Sequence, residues 1–184
     1  MALDVGTYFV PTENKSSFFF VGKKSINTMR ILMVCLGNIC RSPLAEGILK
    51  DKVKKAGLAW EVDSAGIGDW HTGELPDKRS ISTARQYGID ITDQRARQIR
   101  KEDLLHFDLI LAMDDSNLRQ IQLLAKQVQN PKAQIEMILN YSSPGKNQSV
   151  PDPYYGGMDG FEKVFQMLDE ATERMLERVM SYEV

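Results

Sequence analysis

Five consecutive positions, Ile31-Leu-Met-Val-Cys35, are apolar, and such a run predicts a strand covered on both faces. The first strand is placed at Met29 to Val34. Polar residues then break the pattern, and apolar positions return at Leu44, Ala45, Ile48, Leu49, Val53 and Ala56. Spacings of three and four put them on one helical face, with Gly57 placed to end the helix. Trp60-Glu-Val-Asp63 reads as a short second strand, and Ser80 to Tyr87 as a helix closed by Gly88. Asp108 to Met113 is the third strand. The helix after it is capped by Asp115 or Ser116 and turns Leu118, Ile121 and Leu124 to one side. Ile135 to Leu139 is the fourth strand. The last helix, Phe161 to Tyr182, carries Phe161, Val164, Phe165, Leu168, Ala171, Met175, Leu176 and Val179 in one stripe, a pattern of core packing.

Strands that alternate with helices predict a parallel sheet with helices on both faces and right-handed crossovers. Ligands of such α/β folds sit at the carboxyl ends of strands, beside the point where strand order reverses. Cys35 stands at one such end. Residues 1–28 read differently. They hold four of the seven phenylalanines, yet show neither helical nor alternating period. Their apolar stretch is too short for a secretory signal, and no small-residue cleavage site follows. They are expected to form a flexible N-terminal extension ahead of one domain, 29–184.

Composition acts mainly by exclusion. A chain of 184 residues with 42% apolar and 26% charged positions suits one soluble domain with a substantial core. A net charge of −2 gives no sign of nucleic acid or a membrane surface as partner. Two cysteines cannot staple a secreted domain, so a reducing cytoplasm is expected. The basic stretch Arg95-Ala-Arg97-Gln-Ile-Arg100-Lys101 reads as solvated surface.

The candidate chemistry lies where the first strand ends. In Cys35-Leu-Gly-Asn-Ile-Cys40-Arg41-Ser42-Pro43, a polar loop runs straight into a helix, with Ser42 suited to the N-cap and Pro43 to the first turn. Such a loop points backbone N–H groups into one concavity with the helix dipole behind them, a ready anion site. Arg41 can grip two oxygens of a phosphate while Cys35 sits beneath the phosphorus. Amides, helix and arginine together stabilise an anionic sulfur. Gly37 is the loop's only glycine and no Gly-Lys-Ser/Thr follows, so the nucleotide-type phosphate loop fits poorly. Zinc fits worse, because Cys35 and Cys40 have no second cysteine pair and the histidines are only His71 and His106. No metal and no cofactor are expected.

Val34-Cys-Leu-Gly-Asn-Ile-Cys-Arg-Ser-Pro43 closely resembles the signature loop of the low-molecular-weight protein tyrosine phosphatases. Asp152-Pro-Tyr-Tyr-Gly156 resembles that family's general-acid loop, and Asp63-Ser-Ala-Gly66 and Met113-Asp-Asp-Ser-Asn-Leu118 match family segments in order. The resemblance implies a flavodoxin-like three-layer sandwich around a four-stranded parallel sheet in the order 2-1-3-4. It implies hydrolysis of phosphotyrosine, on proteins or as small aryl phosphates, through a cysteinyl phosphate on Cys35. Arg41 would hold the phosphoryl group with the loop residues Leu36, Gly37, Asn38, Ile39 and Cys40. Asp152 would serve as acid and then base, Ser42 would support the departing sulfur, and Trp70 and Tyr154 would flank the substrate ring, with Tyr155 beside them. Asn38 and Ser64 would hydrogen-bond to each other and hold the loop in shape. Many eukaryotic members carry a histidine where this chain has Tyr87, so either its hydroxyl substitutes or the network is rewired. Cys40 matches a cysteine that often captures the oxidised nucleophile, which implies redox regulation. A monomer is expected. Two alternatives stand beside this reading: a thiol-dependent arsenate reductase, which needs further relay cysteines, and a non-catalytic phosphotyrosine-binding module.

Overall fold

The computed structural model describes residues 28–181; the expected extension, up to residue 27, and Tyr182 lie outside them. β1 (Arg30–Cys35) occupies the middle of a parallel sheet, flanked by β2 (Glu61–Gly66) and β3 (Leu109–Ala112), with β4 (Gln134–Met137) outside β3. The order is 2-1-3-4, every pair is parallel, and Ile31 faces Val62 on one side and Leu109 on the other. This is the topology implied by the resemblance.

The apolar run of β1 is explained by the two faces it serves. Ile31, Met33 and Cys35 point to one side, where they join Leu109, Leu111 and Met113 in a core completed by α1 (Arg41–Lys55) and α5 (Met158–Met180). Leu32 and Val34 point to the other, with Ile110 and Ala112, against Leu104 and Phe107 around α3 (Asp103–His106) and Ile121 of α4 (Asp115–Ala125). Side chains alternate across a strand with period two, so a central strand between two helical layers must be apolar throughout. Each fully buried Ile or Leu contributes about 1.5–3 kcal/mol.

α1 buries Leu44, Ala45, Ile48, Leu49 and Val53 as its spacing predicts. Ala56 departs from that stripe: it is the C-cap and is exposed. Gly57 follows with φ +70°, its N–H bonded to the carbonyl of Lys54, while Leu58 N–H reaches Val53. That is a Schellman ending, which favours glycine at the left-handed position. α2 (Lys78–Gln86) starts two residues earlier than expected, capped by Asp77. β2 continues through Ser64-Ala-Gly66, and the fourth strand stops at Met137, with Ile138–Asn140 forming a 3-10 turn. The cap of α4 is Asp114 rather than Asp115 or Ser116, its carboxylate accepting from Asn117 N–H at 2.7 Å. The basic stretch is only partly solvated. Arg97 is half-buried and bonds to Asp63 and Asp103, and Ala96 and Ile99 are buried.

Candidate active site

β1 delivers Cys35 to the carboxyl edge of the sheet, between β2 and β3, where the strand order turns. The loop that follows is shaped by what its carbonyls do. Those of Cys35 and Leu36 accept from Ile67 and Gly68 N–H, at 2.9 Å each. That of Ile39 accepts from Asp77 N–H at 2.7 Å, and Ser80 Oγ donates to Ile39 and Cys40 at 3.4 and 3.3 Å. In a trans peptide the N–H points opposite to the C=O. With these four carbonyls drawn outward, the amides of Leu36, Gly37, Cys40 and Arg41 face inward. The amino end of α1 closes the ring, so the loop is a cradle for an anion. Gly66 lies directly beneath it: a Cβ there would come within 3.0 Å of the Gly37 carbonyl carbon.

Cys35 Sγ lies at the base of the cradle, accepting from Asn38 N–H at 3.3 Å and lying 3.1 Å from Ser42 Oγ. Ser42 is not the N-cap. α1 starts at Arg41 with Cys40 as cap, and the hydroxyl of Ser42 serves the sulfur instead. The proton accounting behind it is nearly complete. Asn38 Nδ2 donates to Ser42 Oγ at 2.9 Å and to Ser64 Oγ at 2.8 Å. Asn38 Oδ1 accepts from Arg97 N–H, which orients the amide. Ser64 Oγ donates to buried Glu46, whose other oxygen accepts from Lys50 Nζ. Both amide hydrogens and the Ser64 proton are thereby committed, leaving the Ser42 proton for Sγ or the more distant Ala65 carbonyl at 3.4 Å. Burial raises the Glu46 carboxyl, opposed by the bonds from Lys50 and Ser64. Asn38 holds φ 55°, a conformation asparagine tolerates.

Arg41 is almost fully buried, so its charge needs partners. Nη1 donates to Asp114 Oδ2 at 2.6 Å and to the Val150 carbonyl at 3.2 Å, and Nη2 to Asp152 Oδ2 at 3.3 Å. A cleft of about 280 Å³ opens above, lined by Cys35, Leu36, Gly37, Ile39, Cys40, Arg41, Trp70, His71, Asp152, Tyr154 and Tyr155. Trp70 and Tyr154 are exposed on its rim. Tyr155 is 96% exposed, touching Tyr154 edge-on. Every cleft residue named from sequence therefore meets here, with Ser42, Asn38 and Ser64 behind the sulfur. Tyr87 does not join them. Its ring stacks on Phe165 and its hydroxyl bonds to Glu162, so the network is rewired through Lys50. Burial, then Asp77 and Cys35, push the Cys40 thiol up to about 12. Sequence reasoning missed Asp114, Glu46, Lys50 and His71 as site residues. Among the described residues, no group of three or more His, Cys, Asp or Glu is disposed to hold a metal ion.

The family model for low molecular weight phosphotyrosine protein phosphatase matches residues 30–183. The enzyme of that name from Sus scrofa is 44% identical over 154 residues, covering 83% of this chain and 96% of its own. Its counterpart from Schizosaccharomyces pombe is 41% identical, covering 82% and 97%. Among solved structures, the Drosophila arginine phosphatase superposes with a TM-score of 0.78 at 37% identity, over 82% of this chain and 97% of that one. With loop, sheet order and sequence in agreement, the chain belongs to the low molecular weight phosphotyrosine protein phosphatase family.

Proposed function

We propose that the chain hydrolyses phosphotyrosine, on proteins or as small aryl phosphate monoesters, through a cysteinyl-phosphate intermediate. The observation that carries this reading is Cys35 Sγ at the floor of an amide-lined cradle, with Arg41 beside it and Asp152 at the cleft mouth. The thiolate of Cys35 attacks phosphorus, the P–O bond to the ring breaks, and Asp152 in its acid form gives the leaving oxygen its proton. Arg41 and the inward amides bind the three equatorial oxygens as charge redistributes. Asp152, now a carboxylate, takes a proton from water as that water attacks phosphorus. The S–P bond breaks, and the Ser42 hydroxyl supports the departing sulfur. Leu36, Ile39, Trp70 and Tyr154 offer an aryl group apolar and aromatic walls. Tyr155 is the rim contact of a larger substrate.

Both cysteines are free, in keeping with a reducing cytoplasm. No described helix is long and apolar enough to cross a membrane. Relay chemistry of an arsenate reductase lacks its further cysteines, since the chain has only two. A binding-only module has no use for the acid and nucleophile it retains.

The test is steady-state hydrolysis with two variants. Cys35→Ser is expected to lose turnover while still binding inorganic phosphate, because the cradle remains. Asp152→Ala is expected to cost about 10²–10⁴-fold for phenyl phosphate and much less for dinitrophenyl phosphate, whose dinitrophenolate leaves without a proton. Cys35→Ser turnover above about a hundredth of wild type would exclude the covalent route. Faster hydrolysis of phosphoarginine than of phosphotyrosine would overturn the substrate.

A further inference from the structure

Arg79 touches none of the reacting atoms, yet it joins the two loops that must act together. Asp77 accepts its backbone N–H at 2.8 Å and holds its guanidinium through Nε at 3.0 Å and Nη2 at 2.8 Å. That bidentate grip leaves Nη1 directed at the segment after Asp152. It donates to the carbonyls of Tyr154 and Gly156, at 3.0 Å each. The guanidinium carbon also lies 4.5 Å from the centroid of buried Phe161 and 5.6 Å from that of Tyr154. On the opposite side, Asp77 N–H and Ser80 Oγ bond to the Ile39 carbonyl of the cradle.

Arg41 holds the start of this segment, through the Val150 carbonyl and Asp152 Oδ2, and Pro153 is buried. Beyond Pro153, the bonds of Arg79 are its main tie to the rest of the domain. Pro151 and Pro153 have no N–H to donate. Tyr154 N–H is spent locally on Asp152 Oδ1 at 3.1 Å, and Gly156 N–H on the Pro153 carbonyl at 2.9 Å. Its outer residues, Tyr154 to Met158, are exposed. A planar guanidinium can bind a carboxylate with one edge, donate to two carbonyls with another and stack on rings, which an ammonium cannot do.

We propose that Arg79 is a positioning residue: it ties the segment bearing Asp152 to the cradle, so that the acid keeps its distance from Cys35 Sγ. This rests on the acid role assigned to Asp152 above. Displacement of an acid by about 1 Å costs up to about 10²-fold when proton transfer matters. It costs little when the leaving group needs no proton.

The experiment compares Arg79→Met, which keeps an apolar stem over Phe161 and removes the donors, with Arg79→Lys and Asp152→Ala. Substrates are phenyl phosphate and dinitrophenyl phosphate. Arg79→Met is expected to lower kcat/KM about 10–100-fold for the first and less than about threefold for the second, with inhibition by inorganic phosphate unchanged. Arg79→Lys falls between, and carries the same comparison should Arg79→Met fail to fold. In the Asp152→Ala background, Arg79→Met is expected to cost nothing further, since both act through one proton transfer. Equal loss on both substrates, or a loss that persists without Asp152, would overturn the tie while leaving the acid intact. If Asp152→Ala itself loses equally on both substrates, the acid reading fails and the tie with it.

Discussion

Cys40 lies in the same loop as the reactive sulfur, and its own protonation governs what it can do after oxidation. Burial, with Asp77 and Cys35 adding to it, pushes its thiol up to about 12, so near neutrality it is the protonated, weak form of a nucleophile. Peroxide is expected to oxidise Cys35 first, and Cys40 captures a sulfenic acid only as thiolate. Recovery with reductant is therefore expected to be greater for wild type than for Cys40→Ser, and the gap to widen from pH 7 to pH 9, as the thiolate fraction rises tenfold per unit. Equal recovery throughout would leave Cys40 as packing alone. Asp114 is the second decisive side chain. It neutralises buried Arg41 and caps α4 at once. Asp114→Ala is expected to cost about 3 kcal/mol or more in stability, by urea titration, and to weaken inorganic phosphate binding. Asp114→Asn keeps an acceptor for the cap, so it should spare more of the stability than of the binding.

β4, at the edge of the sheet, carries a titratable group that feels a charge on α5. Burial pushes the half-buried Glu136 carboxyl up to about 7, against the charge of Arg178 and the hydrogen bond of Tyr141. In the unfolded chain this carboxyl titrates near 4.3. Between those values the folded state holds a proton that the unfolded state has lost, so stability falls as pH rises from about 4.5 to about 7. The full linkage, discounted for solvent screening of a half-exposed group, is about 1–2 kcal/mol. Urea midpoints at pH 5 and pH 8 should differ less in Glu136→Gln than in wild type; an unchanged difference would place the pH dependence elsewhere. Element boundaries were read less well than element existence. Ser64-Ala-Gly66 reads as the start of a loop because it lacks apolar bulk, yet it pairs with β1 through Gly66, opposite Cys35. Small residues are needed there because the cradle rests on them.

Every residue assigned to the site lies between Cys35 and Tyr155, and the two-sided core is complete within the described residues. Met29 is buried and its carbonyl accepts from Glu61 N–H at 2.8 Å, so the domain is proposed to start there. Removing residues 1–28 is expected to leave kcat/KM within about threefold, under about 1 kcal/mol. Loss of solubility or activity on truncation would show that Phe9 and Phe18 to Phe20 serve the domain.

Local patterning was enough to place β1, α1, β3 and α5, because burial period and end signals are properties of neighbouring residues. It was enough to single out Cys35 and Arg41 as candidates too, since strand end, loop and helix start fall within eight positions. Asp152 was legible only through its resemblance to a known loop, and its approach to Arg41 spans 111 residues. Tertiary structure alone decided the rest. Asp114 meets Arg41 across 73 positions, and Arg79 meets Tyr154 across 75. Nothing near either residue in the chain marks it for that task. Ser42 reads as a cap from its neighbours, but the folded loop starts the helix one residue earlier and turns its hydroxyl to the sulfur. Tyr87 reads as a possible donor to the network, but α5 offers its ring Phe165 and its hydroxyl Glu162. A side chain's partner is set by which elements the sheet order brings together, and that order is a property of the whole core.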